Sequence, residues 1–72
     1  MPYVNIKITK EGGPNGVGPS AEEKAALIKG TSDLLKQVLD KDPVTTFVVI
    51  DEVALEDWGI GGLPVEKFRQ QS

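Results

Sequence analysis

From Tyr3 to Ile8 the apolar residues Val4, Ile6 and Ile8 alternate with Tyr3, Asn5 and Lys7, the period-two pattern of a strand with one buried face. The pattern then breaks at Gly12-Gly13-Pro14-Asn15-Gly16-Val17-Gly18-Pro19, where glycine and proline exclude helix and strand and predict a mobile loop. Ser20 with Glu23 three residues on has the form of a capping box, which satisfies free N–H groups at a helix start. Leu27, Ile28, Leu34, Leu35, Val38 and Leu39 follow at three- and four-residue spacing. They predict a helix with one packed face, leaving Lys24, Lys29, Asp33, Lys36 and Gln37 mainly toward solvent. Gly30 inside it costs about 1 kcal/mol against alanine and points to a close approach by another backbone. The helix ends before Pro43, because a residue preceding proline avoids the helical region. Thr45 to Val53 is apolar in both alternating sets, Phe47/Val49 and Val48/Ile50, so a strand covered on both faces is predicted.

Strand, helix and strand in this order make a right-handed crossover unit with parallel strands. The fold class is α/β, or α+β in some schemes: one β-α-β domain over residues 1–72, with 12–19 as a loop insertion. Trp58-Gly59-Ile60-Gly61-Gly62 predicts a turn or short hairpin, and the chain ends in a polar segment carrying Val65 and Phe68. The helix covers only one sheet face, so the doubly apolar second strand calls for cover from elsewhere. Composition says where. A chain of 72 residues with no cysteine and no histidine has neither disulfides nor a structural metal to compensate for its small core, and self-association is the remaining device. The formal charge of −3, with scattered lysines, excludes nucleic acid and anionic membrane as natural partners. A small molecule or another copy of the chain fits instead. No run has the length of a membrane span and the first ten residues lack the apolar stretch of a signal peptide, so a cytoplasmic protein is expected.

Pro2 directly after Met1, a strand, a helix of this length, an apolar strand ending in Asp51-Glu52, and then Trp58-Gly59-Ile60-Gly61-Gly62 together give the whole chain a resemblance to the 4-oxalocrotonate tautomerases. The aromatic-Gly-Ile-Gly-Gly segment is its most specific part. The resemblance implies β-α-β subunits that dimerise and assemble further, commonly as homohexamers. It also implies an amino-terminal proline acting as the base for keto-enol tautomerisation, without cofactor or metal. Pro2 takes that role once Met1 is removed. An α-amino group titrates at about 8 when unperturbed, so a dry pocket leaves it neutral and basic at pH 7. By the same resemblance Trp58, with Ile60, lines the pocket, and a backbone N–H near Thr9 is the donor to the substrate oxygen.

Plainer readings stand beside these. Pro2 suits a strand edge, where a missing N–H does no harm, and Trp58 suits a subunit contact. Asp51 and Glu52, as neighbours on a strand, point to opposite faces and are not an acid pair. The glycine-rich loop imitates phosphate-binding motifs, but Pro19 stands where the lysine belongs and the turn is too long for a dinucleotide fingerprint. It lies, by the resemblance, beside the active-site mouth, as a lid or a determinant of substrate choice.

The chain departs from the family pattern where substrate carboxylates are held. The family uses one arginine just after the first strand and another early in the second. The first position falls in the insertion, which holds Lys10 but no arginine, and the second aligns with Phe47; neither gives a two-pronged grip. Lys10 or Arg69 remains to grip a single carboxylate. Two functions are therefore open. One is a tautomerase for a small enol or 2-keto acid, an aromatic one in view of Phe47 and Trp58. The other is a non-catalytic oligomeric binding or scaffold protein of the same fold.

Overall fold

The computed structural model describes residues 1–71. Strand β1 spans Tyr3–Thr9, helix α1 Ala21–Leu39 and strand β2 Phe47–Val53. β1 and β2 pair in parallel, Tyr3 opposite Phe47 and Thr9 opposite Val53, with α1 as the crossover. The expected β-α-β unit and capping box are both present: Ser20 Oγ accepts from the Glu23 N–H at 3.1 Å, and Glu23 Oε1 accepts from the Ser20 N–H at 2.9 Å. α1 closes on Asp40 in the left-handed region (φ 55°), whose N–H reaches back to Leu35 and Lys36 carbonyls.

The second strand begins later than its β-branched run predicts. Asp42 is the reason: its side chain accepts from the Val44 N–H, and its carbonyl takes the Thr45 and Thr46 hydroxyls. These bonds wind Pro43–Thr45 into a single 3₁₀ turn before β2 starts, local capping that competes with the strand. After a second 3₁₀ turn at Leu55–Asp57, a short hairpin joins β3 (Gly59–Ile60) to β4 (Leu63–Pro64). Gly61 and Gly62 make its turn, both with positive φ (63° and 83°), as a two-residue hairpin turn of primed type requires. The polar tail, given no element by the sequence, is helical: α2 spans Val65–Gln70 and packs against the hairpin and the preceding turn. Val65 at its start is the one buried hydrophobic side chain among the described residues, at 7% exposure.

The sheet has two unlike faces. Glu52 pairs with Lys24 of α1 at 2.7 Å, which places Glu52 on the helix side. By strand alternation Val4, Ile6, Ile8, Val48 and Ile50 share that face, and all are half-buried. Lys24 is thus drawn under the helix, not left to solvent as its spacing suggests. The other face carries Tyr3, Asn5, Lys7, Phe47, Val49 and Asp51, and no element among the described residues covers it; Tyr3, Phe47 and Val49 are exposed. Within one chain β2 is covered on the helix side alone, as expected of a strand whose second cover comes from elsewhere. Leu27, Ile28, Leu34, Val38 and Leu39 of α1 are likewise exposed, and an added side chain at Gly30 would meet only open space. The radius of gyration is 15.3 Å, against about 11 Å for a compact chain of this length.

Candidate active site

Pro2 sits half-buried at the head of β1, and its carbonyl accepts the Phe47 N–H at 2.9 Å. Two of the expected site residues are therefore neighbours. Phe47 points to the uncovered sheet face and is 53% exposed. Met1 precedes Pro2 and is itself exposed, so in this chain the proline nitrogen is an amide.

Thr9 and Lys10 lie at the opposite end of the same strand, about 23 Å from Pro2 at 3.3 Å per residue. The Lys10 N–H bonds the Val53 carbonyl at 2.9 Å. In a parallel ladder alternate residues turn their N–H groups to opposite sides, so the Thr9 N–H is directed at the open edge of β1, as a donor to a substrate would be. Trp58 and Ile60 belong to this distal end too. They follow β2 by only a few residues, and the hairpin that carries them is held by the Val65 N–H donating to the Trp58 carbonyl at 2.8 Å. Trp58 is half-buried and Ile60 exposed. A groove of about 420 Å³ runs along the hairpin between Glu56, Asp57, Ile60, Leu63 and Pro64. It includes neither Pro2 nor Trp58.

The base of the glycine-rich loop is anchored at this distal end. Glu11 accepts two bonds from the Arg69 guanidinium, at 2.8 and 3.0 Å, and a third from the Thr9 hydroxyl. The Arg69 bonds, then the Thr9 bond, draw the Glu11 carboxyl down to about 2. Arg69 is thus occupied by Glu11, and Lys10 is the cation at the loop base with no carboxylate in its grip among the described residues. On the bare sheet face Asp51 accepts from Lys7 and from Asn5, each at 2.9 Å; Lys7 first and then Asn5 hold its carboxyl below the usual range. Sequence reasoning missed both clusters. Lys7 and Asp51 are legible as partners only once the strand register sets them opposite one another. Among the described residues no group of three or more His, Cys, Asp or Glu is placed to hold a metal ion, and no helix is long and apolar enough to cross a membrane.

The tautomerase family, described as "Tautomerase enzyme", matches residues 2–67, from the proline through the hairpin to the start of α2. The chain belongs to the tautomerase family. It is 50% identical over 72 residues to "Probable tautomerase K2" of Dickeya dadantii, covering all of this chain and 98% of that one. It is 43% identical to a "Probable tautomerase" of Helicobacter pylori over the full length of both. The crystal structure of DmpI from Helicobacter pylori superposes with a TM-score of 0.82 at 42% identity, over 99% of this chain and 100% of that one. A heterohexameric 4-oxalocrotonate tautomerase from Chloroflexus aurantiacus superposes with a TM-score of 0.76 at 25% identity, over 96% and 100%. The β-α-β tautomerase fold expected from the sequence is the fold observed.

Proposed function

We propose that this tautomerase moves a proton between oxygen and carbon of a small enol or 2-keto acid, with the Pro2 nitrogen as base after Met1 is removed. The observation that carries the reading is Pro2 itself, at the head of β1 beside Phe47, in a chain whose family match opens at that residue. Freed of Met1, its nitrogen is a secondary amine with a lone pair fixed by the ring. It takes the enol proton and returns one to carbon, serving as base and then acid. Neither step requires a metal or a cofactor.

The remaining site residues come from other copies of the chain. Pro2 and Phe47 stand at one end of the sheet, while Thr9, Lys10, Trp58 and Ile60 stand at the other, so a pocket holding all six is built by self-association. The open edge of β1, the bare sheet face and the exposed apolar side chains of α1 supply the contacts. A dimer-based homohexamer suits these surfaces, and the heterohexameric relative is a precedent for the assembly. Lys10 grips a single carboxylate, and Phe47 and Trp58 favour an aromatic substrate. One observation favours the non-catalytic reading: the chain's sole arginine, Arg69, is engaged by Glu11, so no two-pronged carboxylate grip is at hand.

Ketonisation of phenylenolpyruvate by methionine-free protein, beside Pro2→Ala, separates the two. The expected result is turnover that falls by about 10²–10⁴ in the variant, the usual worth of a positioned base. If both proteins match the buffer rate, and 4-oxalocrotonate dienol is no better a substrate, the non-catalytic reading stands.

A further inference from the structure

We infer that Glu11 sets substrate choice: its carboxylate fills a carboxylate-binding fork built by Arg69 and Thr9, so that the site accepts acids with one carboxylate and rejects those with two. The inference deepens the proposed reading of this end of the sheet as substrate-binding, and rests on it.

The donor set is that of a carboxylate site. Arg69 Nη1 donates to Glu11 Oε1 at 2.8 Å and Nη2 to Oε2 at 3.0 Å, and the Thr9 hydroxyl adds a third bond to Oε2. Two N–H bonds to two oxygens is the arrangement by which arginine recognises a carboxylate on any molecule. Here the chain supplies the carboxylate itself. A tight turn presents it: the Glu11 N–H donates to the Thr9 carbonyl at 2.9 Å, an i to i+2 bond that turns the chain back at the end of β1.

The place matters as much as the donors. Lys10, which grips one carboxylate in the proposed reading, and Glu11, which fills the place of a second, are consecutive in the chain. Among the described residues Lys10 has no carboxylate in its grip. Because Glu11 is tethered beside Thr9, it competes for the fork at an effective concentration on the order of millimolar or above. A substrate's second carboxylate has to displace it. The Glu11–Arg69 pair carries no net charge, so that carboxylate would lose its water with no donor in return. A pair that merely tied the loop to α2 would need both partners equally; a pair that masks a fork does not.

The test is binding of adipate and hexanoate, a dicarboxylate and a monocarboxylate of equal length, by titration calorimetry with circular dichroism as the folding control. Wild type, Glu11→Ala, Arg69→Ala and the double variant are compared. Wild type is expected to bind the two acids about equally. Glu11→Ala should bind adipate at least about tenfold more tightly, with hexanoate within about twofold of wild type, since only the second carboxylate gains charge-assisted bonds. Arg69→Ala breaks the same tie and should gain nothing, and the double variant should return adipate to its wild-type affinity. Should Glu11→Ala fail to fold, Glu11→Gln keeps the size and carries the same comparison. Unchanged adipate affinity on removing the Glu11 carboxylate, or a gain that survives in the double variant, would overturn the inference, as would a wild type that already prefers adipate tenfold. No turnover enters these measurements, so the base is judged separately. Unshifted adipate with a Pro2→Ala protein that has lost turnover sinks only the role of Glu11. A shifted adipate with Pro2→Ala still active sinks only the base, and proteins that bind neither acid sink both this inference and the substrate pocket at this end.

Discussion

The two faces of the β1–β2 sheet carry near-identical devices put to different ends. Asp51 and Glu52 are consecutive on β2, point to opposite sides, and each takes a lysine: Lys7 for Asp51 at 2.9 Å and Lys24 for Glu52 at 2.7 Å. On the covered side the lysine comes from α1, so the pair ties helix to sheet above Val4, Ile6, Val48 and Ile50. On the bare side it comes from the adjacent strand, and the pair spans the sheet without holding any second layer to it. The lysine and carboxylate side chains are 34% and 25% exposed on the first side, and 61% and 46% on the second. The helix-side interaction ties two layers of the subunit together; the other joins two strands of one layer.

Neighbouring residues Val49 and Ile50 put that contrast to its hardest test. Ile50→Ala removes methyl groups from beneath α1 and is expected to lower stability by about 2 kcal/mol, the lower end for such truncations because the site is only half-buried. Urea melts should show that loss at every protein concentration. Val49→Ala removes them from the bare face, so its cost should appear at high concentration and shrink to within about 0.5 kcal/mol on dilution, where a surface change is nearly neutral. Equal concentration dependence for both would erase the distinction between the faces.

A smaller effect is expected at Gly18, which seats the loop on the covered-side pair. Gly18 has φ +112°, its N–H bonds the Gly12 carbonyl at 3.1 Å, and a Cβ there would stand 2.7 Å from Glu52 Oε1. Gly18→Ala must hold a strained backbone and push the Glu52 carboxylate aside, at a cost of about 1–2 kcal/mol. Hydrogen exchange should then show the Gly18 amide losing protection while the β1–β2 amides keep theirs. A variant with wild-type protection at Gly18 would mean that the loop is not seated on Glu52.

These two positions also show what a linear reading reaches. Alternation at Val4, Ile6 and Ile8, the capping box at Ser20 and Glu23, and the doubly apolar run at Phe47 to Ile50 are local signals, and each produced the element it predicts. Pro2, Phe47 and Trp58 were legible as site candidates through the resemblance. The start of β2 was not, because the Asp42 bonds that delay it compete locally with a strong strand signal. α2 was missed because six residues with Val65 and Phe68 are too short for a periodicity to register, yet Val65 is the most buried hydrophobic residue described. The separation of Pro2 from Trp58 and the meeting of Lys7 with Asp51 depend on strand direction and register, which no single segment contains.

The smallest expected effect belongs to a pair that lies on neither face. Glu11 and Arg69 join the loop base to α2 with side chains 34% and 53% exposed, so solvent screens much of their attraction. The sign of its pH dependence is nevertheless determined. The Glu11 carboxyl drops from an ordinary 4.5 to about 2 in the folded chain, so between those values the unfolded chain binds the extra proton and stability rises with pH. The contribution is complete above about pH 4.5 and fades as pH falls through about 2. Arg69→Ala should flatten this part of the acid limb, detected as a smaller drop in melting temperature between pH 5 and 3 than in wild type. Arg69→Lys should restore part of it, since an ammonium keeps the charge but not both bonds. If Arg69→Ala and wild type lose stability in parallel over that range, the pair is not formed in solution, and the loop is held at its far end alone, by Gly18 against Glu52.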